Sequence, residues 1–246
     1  MTLLSGHIKR TKIIAVLDKL TDDVEDAYNG VMDRIYAQDE ERRKIAITAL
    51  KWITYSKERL NVDELLHAIE LGLDPECKDI DNDDLVDLDQ LLSCCAGLLI
   101  LNIKDGTIQL FHYTTQDFLK TRFLKADAHT SLAKFCLTYL TLDAFSDPPE
   151  EERKLRSVMR TYPLCSYAAR YWGYHSRLGL ETNIVAAILS TLSNQKKRDM
   201  MANIEEFHLG YGQSRRRTVL HLTARYGLYE ACCTILNHQL ALSASN

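Results

Sequence analysis

Apolar residues recur along this chain at helical spacing far more often than at alternating spacing, and the stripes they form predict a mainly α fold. From Asp22, positions Val24, Ala27, Tyr28, Val31 and Ile35 fall on one face, with Asp22 and Glu25 spaced as a capping box. A second helix is predicted from Asp39 to Tyr55, where Ile45, Ala49, Trp52 and Ile53 oppose the charged Glu41, Arg42, Arg43 and Lys44. The next carries a full set of terminal signals: Asn61 as cap, Glu64 three residues on, Leu60 and Leu65 as a hydrophobic staple, and Gly72 suited to a left-handed end. After the acidic stretch Asp79 to Asp89, residues Leu85, Leu88, Leu91, Leu92 and Cys95 return to helical spacing.

The pattern changes after Gly97. Leu98 to Ile103 and Thr107 to Phe111 are short apolar runs joined by Lys104-Asp105-Gly106, and Asp-Gly signals a hairpin. Helices followed by one hairpin is the element order of a winged helix. Thr114 and Asp117 are spaced as cap and N3 partner for a helix holding Phe118, Leu119 and Phe123. Further stripes run through Leu132, Phe135, Tyr139 and Leu142, and, after Pro163, through Leu164, Tyr167, Ala168, Tyr171 and Trp172. Ile184, Ala187, Ile188 and Thr191 follow, with Asn183 as candidate cap, and Met200, Met201, Ile204 and Phe207 close a predicted bundle.

Composition narrows the function classes. The net charge of -4, from 30 basic and 34 acidic residues, offers no global attraction to nucleic acid or an anionic membrane, so proteins are the expected partners. Seven cysteines without C-x-x-C spacing read as reduced, buried thiols. The longest apolar run, Cys95 to Leu101, falls far below the roughly 18 residues of a membrane span, which leads us to expect a cytoplasmic protein. The chain opens inside a helical pattern and stops just after a repeat unit would finish, as a fragment or degenerate product would.

Catalytic apparatus is missing from the motifs. No G-x-x-x-x-G-K-[ST], G-x-S-x-G, H-E-x-x-H or G-x-G-x-x-G occurs, and Gly210-Tyr211-Gly212 is a loop, so we expect no enzyme, cofactor or metal. Asp79, Asp81 and Asp83 match the first ligands of a calcium loop, but Asp84 stands where glycine turns the chain and Gln90 where a bidentate glutamate is needed. A DNA-binding winged helix is the alternative its element order raises. The six aspartates from Asp79 to Asp89 would face a polyanion, and Arg215-Arg216-Arg217 reads as an exposed loop.

Three segments carry a family resemblance: A-L-K-W-I-T-Y from Ala49, L-N-V-D-E-L-L-H-A-I from Leu60 and F-H-Y-T-T-Q-D-F-L from Phe111. In this order they resemble the winged-helix segment of fungal NACHT proteins, STAND-class signal-transducing ATPases, a segment also catalogued with GPI inositol-deacylase-like proteins. Y-P-L-C-S-Y-A-A-R-Y-W from Tyr162 is similar to the bundle that follows it, so the likeness runs from about Leu17 onward. R-T-V-L-H-L-T-A-R-Y-G-L-Y-E-A-C-C-T-I-L from Arg217 is similar to an ankyrin repeat, with Thr218, Leu220, His221, Ala224 and Gly227 at family positions. Val219 replaces the usual proline and Thr223 the usual first alanine.

The resemblance implies an organisation and a role. Residues 17–56 would follow a NACHT ATPase module, 42–125 would form the winged helix, 126–208 the bundle and 215–246 the start of an ankyrin repeat. His112 matches the histidine that touches the β-phosphate of ADP in related switches, while Phe111 and Tyr113 replace the methionine and aspartate around it; the alternative, favoured for this chain by itself, is a histidine that satisfies the strand-to-helix junction. His221 would be the structural ankyrin histidine, and His67 and His175 read as partly buried helix residues. The function implied is a non-catalytic regulatory and protein-interaction segment, reaching ATP or ADP only through the ATPase module. A stand-alone ankyrin-type scaffold is the alternative, and a hydrolase lacks its serine elbow.

Overall fold

The structure, a computed structural model, describes residues 24–149, 151–209 and 218–244. Leu17, Asp22, Gly210 to Gly212 and Arg215 to Arg217 lie outside the described residues. The order is α1 (24–36), α2 (Glu40–Tyr55), α3 (Val62–Leu73), α4 (Leu88–Cys94), β1 (Leu99–Asn102), β2 (Thr107–Leu110), α5 (Tyr113–Arg122) and α6 (Lys125–Tyr139). After a 3-10 turn at Asp143–Phe145 come α7 (Glu152–Thr161) and α8 (Cys165–Leu178), then a second turn at Glu181–Asn183. α9 (Val185–Ser193), α10 (Gln195–Leu209), α11 (Val219–Tyr226) and α12 (Tyr229–Ala244) follow. The fold is mainly helical, and its one sheet among the described residues is the antiparallel hairpin β1-β2.

Local chemistry explains most boundaries. Asp39 caps α2 by accepting from Arg42 N–H at 2.9 Å, and Asp87 caps α4 from Gln90 N–H at 2.7 Å. Asn61 and Glu64 form the reciprocal capping box of α3, both bonds at 2.9 Å, with Leu60 and Leu65 buried beside it. Ala96 and Gly97, both at positive φ, end α4 and reverse the chain into β1.

Four local expectations are corrected. Gly72 does not terminate α3; it sits inside the helix, where a Cβ would come within 2.8 Å of Thr48 Oγ1, so its value is close approach to α2. The hairpin loop is Ile103 to Gly106, because Asn102 pairs with Thr107 and Gly106 N–H closes on Asn102 O at 2.8 Å. Asn183 lies in the preceding turn and does not cap α9, whose cap position is Ile184 with no side-chain bond. On α1 the expected Tyr28, Val31 and Ile35 pack against the core and Met32 joins them, but Val24 and Ala27 face solvent, so the stripe is shorter than expected.

One continuous core joins the helices, with α2 at its centre. Trp52 of α2 is fully buried and meets Phe135 of α6 and Tyr167 of α8, at ring separations of 6.2 and 5.3 Å. α6 and α8 form the most extensive helix pair, and α11 docks on α8 through Tyr226, whose ring lies 5.0 Å from that of Trp172. A Cβ on Gly173 would fall on the Tyr226 ring. Gly173→Ala is therefore expected to destabilise the chain by about 1–3 kcal/mol, read as a lowered urea midpoint. Gly30→Ala, with nothing within 4 Å of the added methyl, serves as the control and should hold or raise it.

Candidate functional site

β2 runs directly into α5, and the junction residue His112 serves as the helix cap. Its Nδ1 accepts from Thr114 N–H at 3.3 Å, so Thr114, expected as the cap, occupies the second helical position instead. The lone pair on Nδ1 places the ring proton on Nε2. Thr114 Oγ1 lies 2.8 Å from the same Nδ1 and 2.7 Å from the Tyr28 hydroxyl, which in turn accepts from Thr115 Oγ1 at 3.0 Å. One proton order satisfies every member: Thr115 donates to Tyr28, Tyr28 to Thr114, and Thr114 to His112.

That relay ties His112 to α1 across more than eighty residues of sequence. Tyr28 also packs its ring 5.1 Å from Phe118, and Arg122 of α5 hydrogen-bonds Asn29. α1 is thus docked on α5 by polar and aromatic contacts as well as by its buried Met32 and Ile35.

His112 lines a groove of about 430 Å³ between β2 and the segment 56–59. Lys57 and Arg59 are exposed on one lip; Phe111 and Tyr113, 68% and 76% exposed, stand on the other. Glu58 turns its carboxylate to Arg170 and Tyr171, so its charge is met from α8. The groove therefore offers cations, a histidine N–H and aromatic faces.

Beneath the groove lies a buried polar chain that sequence reasoning missed. Lys57 N–H donates to the Tyr167 hydroxyl at 2.8 Å, which lies 2.8 Å from His175 Nε2, and His175 Nδ1 lies 2.8 Å from His129 Nδ1. With the phenol donating to Nε2, His175 carries its proton on Nδ1 and donates it to His129. His67 is likewise paired, to Tyr139 and Asn82. His67 and His175, expected to be partly buried, are 1% and 0% exposed. Burial, reinforced by neighbouring His129, pulls His175 down to about 3, and burial with nearby Lys125 pulls His129 down to about 4.

The ankyrin-matched residues lie apart from the groove, on α11 and its ends. Thr218 Oγ1 accepts from His221 N–H at 3.3 Å and His221 Nδ1 accepts from Thr218 N–H at 3.3 Å, closing a capping box. Gly227 takes the left-handed C-cap at φ 69° that only glycine adopts without strain. Leu220 is half-buried and Ala224 exposed, and the buried residues are Leu222 and Thr223. All seven cysteines are free thiols, four of them buried, and burial pushes Cys165 up to about 12. Among the described residues no group of histidine, cysteine or carboxylate side chains has metal-binding geometry, and no helix is long and apolar enough to cross a membrane.

No family model matches the chain, and no solved structure matches it. It is similar to azaphilone pigments biosynthesis cluster protein L of Monascus ruber, at 25% identity over 182 residues, covering 65% of this chain. The chain spans 36% of that relative's length.

Two outcomes test this geometry. His112→Ala and Tyr28→Phe should each cost about 1 kcal/mol, and the double variant less than their sum, because both act through Thr114. Between pH 6.5 and about 3 the unfolded chain binds protons that folded His129 and His175 refuse, so the stability contributed by these two groups falls as pH drops through that window and is constant above it. A His129→Leu/His175→Phe variant should show a shallower fall in urea midpoint over the same range, the common carboxylate contribution cancelling in the comparison.

Proposed function

We propose that this chain is a non-catalytic regulatory and protein-interaction segment of a NACHT or STAND signalling switch, made of a winged helix, a helical bundle and the opening of an ankyrin repeat. The observation that carries the reading is the relay from Tyr28 on α1 through Thr114 to His112. α1 belongs to the segment that would follow the ATPase module, and His112 matches the histidine that reads nucleotide state in the family it resembles. A change in how α1 docks would reach His112 through two hydrogen bonds. Such a device works by stabilising one of two states more than the other.

The winged-helix part is supported by more than element order. An isolated bridge between Asn61 and Thr107, with Ile108 N–H donating to Leu60 O at 3.0 Å, ties the segment between α2 and α3 to the hairpin. The helix pair α11-α12, with its Thr218-His221 box and Gly227 turn, supports the ankyrin reading. The Monascus ruber protein is named for a pigment biosynthesis cluster; on this reading a chain similar to it acts in control or assembly and carries out no chemical step.

The reading is tested by calorimetry and by joining the chain to its proposed driver. Titrated with ATP or ADP, the chain by itself should give no saturable heat, because His112 alone does not make a nucleotide site; saturable binding would overturn the relay. If the relay reading holds, the intact transcript carries a P-loop in frame upstream of residue 1. A transcript lacking it would favour the stand-alone scaffold, for which exposed Tyr229 and Leu236 on α12 supply an apolar contact surface.

A further inference from the structure

The outer edge of β2 is unpaired where it borders the groove. Phe111 N–H donates to Leu98 O at 2.9 Å, so the odd-numbered residues of β2 bond toward β1 and the even-numbered ones point their N–H and C=O groups away. Ile108 spends its N–H on Leu60 O, and the Asn61-Thr107 bridge closes that end of the cleft. Beyond the bridge, segment 56–59 diverges, and Leu110 presents a donor and an acceptor with no partner among the described residues. An open strand edge of this kind pairs readily with another chain.

The groove's walls specify what would pair. From Ile108 to His112 the edge runs about 13 Å at 3.3 Å per residue, but only Leu110 keeps both groups open, because Ile108 N–H is bonded to Leu60 O and His112 C=O accepts from Thr115 N–H at 3.1 Å. Lys57 and Arg59 stand exposed opposite this edge; the Lys57 ammonium lies 4.9 Å from the centre of the Tyr174 ring, Arg59 is 3.7 Å from Asp105, and Glu58 is held by Arg170. Phe111 and Tyr113 offer apolar faces to alternate side chains. A phosphodiester strand would satisfy the cations but could only accept hydrogen bonds, leaving the Leu110 carbonyl unmet. A peptide backbone supplies both a donor and an acceptor.

We propose that this groove takes an extended acidic peptide of a partner protein as an added strand, paired to β2 at Leu110 with its carboxylates on Lys57 and Arg59. The proposal stands independently of the nucleotide-switch reading, since it uses only the edge and lips of the groove.

The test titrates the full chain with a fluorescein-labelled octapeptide of alternating threonine and glutamate, followed by anisotropy. Parallel titrations use a lysine-for-glutamate peptide and an acidic peptide N-methylated at alternate amides. The acidic peptide should bind at least about tenfold more tightly than either control, and hydrogen exchange at the Leu110 amide should slow on saturation. Lys57→Glu/Arg59→Glu should reverse the charge preference while the helical circular-dichroism spectrum stays that of the parent chain. Absence of binding, equal binding of the N-methylated peptide, an unprotected Leu110 amide, or displacement of the peptide by a single-stranded oligonucleotide would each overturn it.

Discussion

Burial of Trp52 on α2 is the constraint around which the molecule is arranged. α2 has one face toward α3 and α4 and another toward α6, and Trp52 reaches past both to α8, where it meets Tyr167 and His175. Its indole N–H has no hydrogen-bond partner among the described residues, a cost of about 1–3 kcal/mol that the burial of so large a ring offsets. Because α2 ends at Tyr55, just short of the groove, the same packing that builds the core also fixes segment 56–59. Tyr55 extends the effect by donating its hydroxyl to Phe123 O at 2.7 Å, which anchors the end of α5. The groove thus rests on the end of α2 and on Tyr167, which accepts from Lys57 N–H at 2.8 Å, and its lips are surface residues.

The sequence pattern made the helices legible because burial of one face repeats locally. The Asn61-Glu64 box and the Gly106 turn were visible for the same reason: cap and turn chemistry acts over three or four residues. What escaped it was contact at a distance. Gly72 and Thr48, Tyr28 and Thr114, and His129 and His175 are each separated by at least 24 positions, and no periodicity relates them. His112 and Thr114 show a subtler limit. Both were visible at the start of α5, and the preference of threonine for the cap position made it the expected cap, yet the imidazole two residues earlier performs that role.

The histidines show how environment decides function where residue type does not. His67, His129 and His175 are buried, each has a polar partner, and burial favours their neutral form; they hold helices together. His112 and His221 are exposed at helix starts, and each accepts a backbone N–H through Nδ1 and sits 2.8 Å from a threonine hydroxyl. Their local geometry is nearly the same. What differs is the surroundings: His221 faces its own capping threonine, whereas His112 lines a groove with two cations and connects through Thr114 to a separate helix. Because Nδ1 accepts at the cap, the ring N–H is the one on Nε2. The start of α5 and the presentation of that donor are therefore one interaction, and disturbing either through α1 disturbs both.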